Sequence, residues 1–175
     1  RNLWRLSGVE VRMRLLTRLA GNVICISSWL RRKFAGQHTV LLPNVVDTSH
    51  SRWQRGLAPE PQEAAHLVYS GSPGVGMHKD RLPVMIEALA TLLKKGHDFQ
   101  LSIAGITEAE YLEDAPSHRE FVAALGEKLE FLGRVSHEES LALLRTTDFS
   151  VFFRKPNRVS NAGFATKFVE AATLG

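Results

Sequence analysis

The second half of this chain alternates short apolar runs with amphipathic segments, and this alternation constrains the fold more than any other feature. The runs LVYSG, QLSIAG, LEFLG and DFSVFF are short and largely apolar, which is typical of buried parallel strands. The segments between them repeat apolar residues at helical spacing, and they are too long to be hairpin connections. The pattern therefore predicts an α/β fold with a doubly wound parallel sheet.

Individual elements follow from the same periodicities. In the first 47 residues we predict a helix at 1–20, a strand at Asn22–Ser27, a short helix ending at Phe34 and a strand at His38–Leu42. Residues 48–65 are polar, rich in Pro, Gly, Gln and Glu, and predict a linker or exposed loop. Beyond them we predict strands at Leu67–Gly71, Gln100–Gly105, Leu129–Gly133 and Asp148–Phe153, and helices at Leu82–Lys95, Ser117–Leu125, Ser136–Leu144 and Thr166–Leu174.

The net charge of +4 is concentrated at the start of the chain. Residues 1–35 carry eight basic residues and one acidic residue, Glu10, whereas the remaining 140 residues carry 14 basic and 17 acidic ones. A basic amphipathic start is compatible with a solvated helix face, with peripheral contact to an anionic membrane, or with nucleic-acid binding. We favour the solvated face, place membrane contact second and expect no nucleic acid, because only Trp4 lies among the arginines as a stacking platform would.

Cysteine content and hydropathy limit the compartment. The single cysteine, Cys25, cannot form an internal disulfide, and no apolar run approaches the roughly 18 residues of a membrane span. The sequence therefore predicts a cytoplasmic protein, at the inner face of the membrane if the basic segment contacts lipid. The scattered histidines show no metal-binding spacing, so we expect no metal and no cofactor.

Four loops follow the predicted strands at the sheet edge where parallel α/β folds bind ligands: 71–80, 105–110, 133–136 and 153–166. The first contains Gly71, Gly74 and Gly76, which allow close approach of a ligand to the backbone, and then Lys79. Backbone amides, a helix N-terminus and one ammonium group suit a diphosphate. Taken alone, however, a glycine-rich loop is more often a plain turn.

The fourth loop combines basic residues with a second helix start. Arg154, Lys155 and Arg158 follow the strand, and Gly163 precedes a helix beginning near Ala165–Thr166. Glu170 lies one turn into this helix, where a carboxylate could accept hydrogen bonds from a ribose diol. For Glu170 alone we prefer the simpler interpretation of an acidic residue favoured by the helix dipole.

Five segments resemble, in order, the retaining GT-B glycosyltransferases of the large bacterial group that builds capsule, lipopolysaccharide and exopolysaccharide (group 1, family 4-like). They are NVICISSWL, LLPNVVD, LVYSG with KDRLPVMIEAL, LEFLGRVSHEESLALLRTTDFSVF, and GFATKFVEAATLG, and they cover about residues 22–175. The resemblance implies that 1–47 ends an acceptor domain, that 48–65 links it onward, and that 66–175 is a nucleotide-sugar-binding Rossmann-like domain truncated at its C-terminus.

The function implied by the resemblance is transfer of a sugar from a UDP- or GDP-sugar to a glycan or lipid-linked acceptor, in cell-surface polysaccharide synthesis. The implied catalytic residues are Lys79, which would hold the diphosphate, and Glu170, which would bind the ribose hydroxyls. The implied donor-binding residues also include Gly71, Ser72, Gly133, Arg134, Val135, Gly163, Phe164, Ala165, Thr166 and Lys167. The isolated chain is expected to be inactive, because the acceptor-domain contacts are not in it.

Two positions depart from the family pattern. Ser72 stands where an arginine is common in the family, and Arg154 or Arg158 could take the role of that arginine. Ala162 stands where a second glutamate is common. Three other functions therefore remain open: a GT-B-fold nucleotide-sugar epimerase, a non-catalytic nucleotide-sugar-binding module, and a flavodoxin-like regulator. The last needs an acidic pocket at the first strand end, and the loop from Gly71 to Lys79 contains no acidic residue.

Overall fold

The computed structural model describes residues 2–54, 64–77 and 79–175 of the chain. Their contacts divide into two compact units, Arg1–Val45 with Asn157–Phe164, and Val46–Pro156 with Ala165–Gly175. The functional division at residues 47 and 65 stays a prediction, and residues 55–63 of its linker lie outside the described residues.

The elements are numbered in chain order. They are α1 (Asn2–Ala20), β1 (Asn22–Cys25), α2 (Ser28–Lys33), β2 (His38–Leu41), β3 (Ala65–Ser70), α3 (Leu82–Lys94), β4 (Phe99–Ala104), α4 (Glu108–Asp114), α5 (Arg119–Leu125), β5 (Leu129–Gly133), α6 (His137–Thr146), β6 (Phe149–Ser150), α7 (Arg158–Ala162) and α8 (Thr166–Leu174). Among the described helices, none is long and apolar enough to cross a bilayer.

The first unit contains a small parallel sheet of β1 and β2. Ser27 caps α2: its Oγ accepts a hydrogen bond from the Leu30 amide at 3.2 Å and donates one to the Ala162 carbonyl at 3.0 Å. A serine at this position satisfies one of the amides that the first helical turn leaves without a partner. The same side chain thereby connects the start of α2 to the end of α7.

The second unit contains a four-stranded parallel sheet with the strand order β5-β4-β3-β6. Numbered within this unit, the order is 3-2-1-4, which is that of the first four strands of a Rossmann fold. Because all four strands are parallel, their carboxyl ends share one edge, and every connecting loop after a strand starts there.

Successive side chains of each strand point to opposite faces of the sheet, and helices cover both faces. On one face, Tyr69 packs in a cluster with Leu82 and Ile86 of α3. On the other face, the Ser70 hydroxyl lies 2.6 Å from the hydroxyl of Ser140 in α6. Burial of each large aliphatic side chain contributes about 1.5–3 kcal/mol. The predicted doubly wound α/β sheet is confirmed.

Helix α3 ends as the sequence predicts. It begins with a proline in its first turn, where the missing amide costs no hydrogen bond. Its buried residues Leu82, Ile86 and Leu89 recur at helical spacing. Gly96 follows with φ +85, a left-handed conformation that favours glycine and stops the helix.

Four predicted segments differ from the structure. The last strand, predicted at Asp148–Phe153, is paired only at Phe149–Ser150, because it has one sheet neighbour, β3, along a short stretch. The loop 105–110 ends early, because Thr107 and Glu110 form a capping box that begins α4. The loop 153–166 contains α7, whose amides Asn157 caps. The helix predicted from residue 117 begins at 119, after a 3₁₀ turn.

Candidate functional site

A cleft of about 590 Å³ lies at the carboxyl edge of the second unit's sheet. It is lined by the loops after β3, β4 and β5 and by the first turns of α6 and α8. Its lining includes the predicted residues Gly71, Ser72, Lys79, Arg134, Val135, Thr166, Lys167 and Glu170. Sequence reasoning did not assign Ser70, Ala104, Gly105, Ser136, His137 and Ser140 to the site, although Gly105 and Ser136 belong to loops it had selected.

Two glycines bring the backbones of the first two loops together. Gly71 and Gly105 have φ values of +131 and +116, which other residues rarely adopt. A Cβ atom on Gly105 would lie 2.5 Å from the Gly71 carbonyl oxygen, and one on Gly71 would lie 2.6 Å from Cε of Lys167. The floor of the cleft is therefore made of backbone, with no room for side chains at these two positions.

Gly133 supports this floor. It is the buried last residue of β5, and its carbonyl accepts a hydrogen bond from the Gly105 amide at 2.6 Å. Arg134 and Val135 come next along the chain and line the cleft. The loop after β5 is thus fixed to the loop after β4 at the point where it turns toward the cleft.

Lys79 lies at the end of the glycine-rich loop, just before α3. Its amide donates to the Pro73 carbonyl at 3.1 Å, which folds the loop back on itself, and its side chain is exposed and lines the cleft. An exposed ammonium group at the end of a backbone-lined cleft is suited to bind an anion.

The first turn of α8 faces the same cleft. Ala165 precedes the helix in extended conformation, and Thr166 and Lys167 line the cleft. The first amides of a helix have no partner within the helix and carry partial positive charge. The structure therefore brings Lys79 and the N-terminus of α8, which sequence reasoning had selected separately, to one cleft.

A buried carboxylate, Asp80, lies beside this cleft and was not predicted. Asp80 is fully buried. Its Oδ2 accepts hydrogen bonds from the Tyr69 hydroxyl at 2.8 Å and the Lys167 ammonium at 2.6 Å, and its Oδ1 accepts one from Arg154 Nε at 2.6 Å. The Lys167 ammonium also lies 3.9 Å from the centre of the Tyr69 ring.

The partners of Asp80 decide its charge. Burial raises the pKa of this carboxyl, but the hydrogen bonds from Lys167, Arg154 and Tyr69 outweigh burial and hold its pKa below the ordinary value. Burial and the bond to Asp80 raise the pKa of the Tyr69 hydroxyl. Asp80 is therefore an ionised carboxylate held by two cations, and the three charges together carry +1.

Glu170 is half-buried on α8 and lies against α6. Its Oε1 is 3.2 Å from Nε2 of His137, the first residue of α6. A carboxylate accepts several hydrogen bonds, so this contact leaves acceptor capacity for a ligand hydroxyl. His137 opens α6, so its contact with Glu170 links the first turn of that helix to α8.

Four other candidates are not among the residues that line the cleft. Gly163 and Phe164 belong to the first unit, where the Gly163 amide donates to the Val159 carbonyl and ends α7. Arg158, in the same unit, forms an ion pair with Glu10. Arg154 forms an ion pair with Asp80. That Arg154 or Arg158 takes the role of the arginine that the family often has at the position of Ser72 therefore stays a prediction.

The described residues contain no group of three or more His, Cys, Asp or Glu side chains that could hold a metal ion. No protein-family model matches the sequence, and no curated protein sequence matches it. The fold is similar to that of a point mutant of S. aureus TarM, whose crystal structure is a complex with Fondaparinux, alpha-GlcNAc-glycerol and UDP. The similarity has a TM-score of 0.63 at 14% identity and covers 88% of this chain and 28% of the TarM chain. The chain therefore has the fold of a Rossmann-like half of a GT-B glycosyltransferase.

Proposed function

We propose that this chain binds the nucleoside diphosphate of a nucleotide-sugar donor and belongs to a glycosyltransferase of the GT-B type. The observation that carries the proposal is that Lys79 and the first turn of α8 line one cleft at the carboxyl edge of the sheet. A solved structure with a similar fold, that of the TarM mutant, is a complex with UDP, which supports a uridine or related nucleotide as the ligand.

The cleft suits a diphosphate in size and charge. Its volume of about 590 Å³ lies within the range of about 300–1,000 Å³ that small-molecule sites occupy. The ammonium of Lys79 and the amides of Thr166 and Lys167 would face the phosphate oxygens. In sugar transfer the leaving diphosphate gains negative charge as the glycosidic bond breaks, so fixed dipoles and a cation stabilise the transition state more than the bound donor.

In this proposal the remaining lining residues hold the nucleoside. Glu170 accepts hydrogen bonds from the ribose hydroxyls, and the backbone of Arg134 and Val135 lies beside the base. The donor is a UDP- or GDP-sugar, and the acceptor is a glycan or a lipid-linked glycan in cell-surface polysaccharide synthesis. Transfer proceeds with retention of anomeric configuration, as the resemblance to the group 1, family 4-like enzymes implies.

Titration calorimetry with UDP, GDP and ADP tests the proposal directly. We expect at least one of these nucleotides to bind, and Lys79→Ala to weaken its affinity about tenfold or more, because one charge-assisted contact contributes about 1.5–3 kcal/mol. Lys95→Ala is the matched control: Lys95 is exposed and follows the end of α3, at the sheet edge where β4 begins. Absence of binding by the folded wild-type chain to all three nucleotides would refute the proposal.

A further inference from the structure

The ion pair between Asp80 and Lys167 joins two elements that are distant in sequence. Its partners are 87 residues apart. Asp80 directly follows Lys79, and Lys167 directly follows Thr166 in the first turn of α8. The bond of 2.6 Å therefore connects the residue after Lys79 to the helix turn that lines the same cleft.

The surroundings of this ion pair leave little freedom. The side chain of Lys167 is 11% exposed and that of Asp80 is 1% exposed. The side chain of Lys167 packs against Gly71, because a Cβ atom added to Gly71 would lie 2.6 Å from Cε of Lys167. The ammonium also contacts the Tyr69 ring, whose centre is 3.9 Å away. A cation enclosed in this way fixes the position of α8 relative to the loop after β3.

We propose that Asp80 and Lys167 are positioning residues that set the spacing between the Lys79 ammonium and the first-turn amides of α8, so that the two groups together bind a diphosphate in preference to a single phosphate. This inference rests on the function proposed above. Two phosphate-binding groups held at a fixed spacing bind a diphosphate with the advantage of a second, intramolecular contact, and a monophosphate does not gain that advantage.

The substitution Lys167→Met breaks this link with little disturbance of the fold. Asp80 keeps its bonds from Arg154 and Tyr69, so the substitution takes the buried cluster from +1 to neutral and leaves the carboxylate paired. Methionine fills the space of the lysine stem and packs well against the Tyr69 ring. Circular dichroism and a cooperative thermal transition check that the variant is folded.

The measurement is the ratio of affinities for UDP and UMP, and for the base-free pair pyrophosphate and orthophosphate, determined by calorimetry on the full chain. In the wild type we expect each diphosphate to bind at least about tenfold more tightly than its monophosphate. In Lys167→Met we expect the ratio to fall below about threefold while the affinity for UMP changes by less than about threefold.

A matched control is Lys128→Met, which removes a lysine whose ammonium lies 2.6 Å from Asp98 on the exposed surface; its ratio should equal that of the wild type. A wild-type preference for the diphosphate that Lys167→Met retains would overturn the inference and leave the proposed function standing. Equal loss of UDP and UMP binding in folded Lys167→Met would also overturn it, because Lys167 would then contact the ligand itself. Failure of the wild type to bind any of the four ligands would overturn both.

Discussion

At the scale of single residues, the chain's second unit depends on one carboxylate. Asp80 is fully buried and accepts hydrogen bonds from three side chains, two of them cationic. Removing a carboxylate of this kind leaves the buried Lys167 and the half-buried Arg154 without their compensating charge, which costs about 3–5 kcal/mol. The cost depends on pH, because it exists only while Asp80 is ionised.

The expected result is that Asp80→Asn lowers the free energy of unfolding by about 3–5 kcal/mol at pH 7, and that this deficit shrinks as the pH falls below about 3.9. The folded-state pKa of Asp80 lies below its ordinary value. A carboxyl group whose pKa is lower in the folded state than in the unfolded chain stabilises the fold at pH values above its unfolded-state pKa of about 3.9. This stabilisation is lost as the pH falls through the folded-state pKa. The wild type should therefore lose stability in acid, and the variant should follow a flatter curve.

Urea unfolding between pH 2 and pH 7 measures both curves. Asp98→Asn is the control, because Asp98 also pairs with a lysine, Lys128, but its side chain is 56% exposed. Surface pairs contribute little to stability, so this variant should stay close to the wild type throughout. An Asp80→Asn deficit that is the same at both ends of the pH range would contradict the ionised, charge-paired state of Asp80.

Sequence reasoning found the parts of the cleft that follow from local rules. Lys79 and the glycine-rich turn were selected because they follow a predicted strand and precede a predicted helix, whereas the resemblance to a known family assigned Glu170 to the site; all three line one cleft. The Asp80 cluster could not be found in this way, since its hydrogen bonds span 11, 74 and 87 residues. Such contacts depend on strand order and helix position, which no local pattern encodes.

At the scale of elements, helix caps place the cleft residues. Ser136 and Glu139 form a capping box: the Ser136 Oγ accepts from the Glu139 amide at 3.2 Å, and Glu139 Oε2 accepts from the Ser136 amide at 2.7 Å. A serine followed three residues later by a glutamate is the spacing typical of such a box. The box fixes the first turn of α6, whose first residue, His137, contacts Glu170.

Because of this cap, Ser136→Ala should lower the free energy of unfolding by about 1 kcal/mol, the usual cost of removing an N-cap hydroxyl. Chemical denaturation at neutral pH measures the change. Thr146→Ala is a control within the same helix, since the Thr146 hydroxyl only bonds back to the carbonyls of Ala142 and Leu143, an interaction that does not favour helix formation. Equal loss of stability in the two variants would argue against a specific role for the box.

The elements that were missed had weaker or conflicting signals. The Thr107–Glu110 box that begins α4 has the same spacing as the box of α6, but it lies inside a segment already assigned to a loop. Helix α7 has only five residues, too few for an apolar period to appear. The last strand was predicted too long because an apolar run indicates burial and not strand pairing. Pairing also needs a neighbouring strand, and β3 pairs with the last strand at only two positions.

At the scale of the whole chain, basic charge and exposed apolar surface occur together in the first unit. On α1, Arg12, Arg14 and Arg18 are exposed, and so are Val11, Leu15, Leu16 and Leu19. The sequence alone favoured a solvated face here. A helix face that is only solvated gains nothing from exposing several large aliphatic side chains, and basic residues on the same helix suit the second interpretation that the sequence left open, peripheral contact with an anionic membrane.

We therefore expect the chain to sediment with vesicles that contain phosphatidylserine and to remain in solution with vesicles of phosphatidylcholine alone. Replacing Arg12, Arg14 and Arg18 together by Gln should weaken the binding about 100-fold, because each basic side chain near an anionic surface contributes about 1 kcal/mol. Raising the salt concentration should also weaken the binding of the wild type.

The control replaces Lys94, Lys95 and Lys128 by Gln, which removes the same charge from exposed or half-exposed positions of the second unit. If that variant loses as much affinity as the α1 variant, the attraction comes from net charge alone and α1 is not the membrane-binding element.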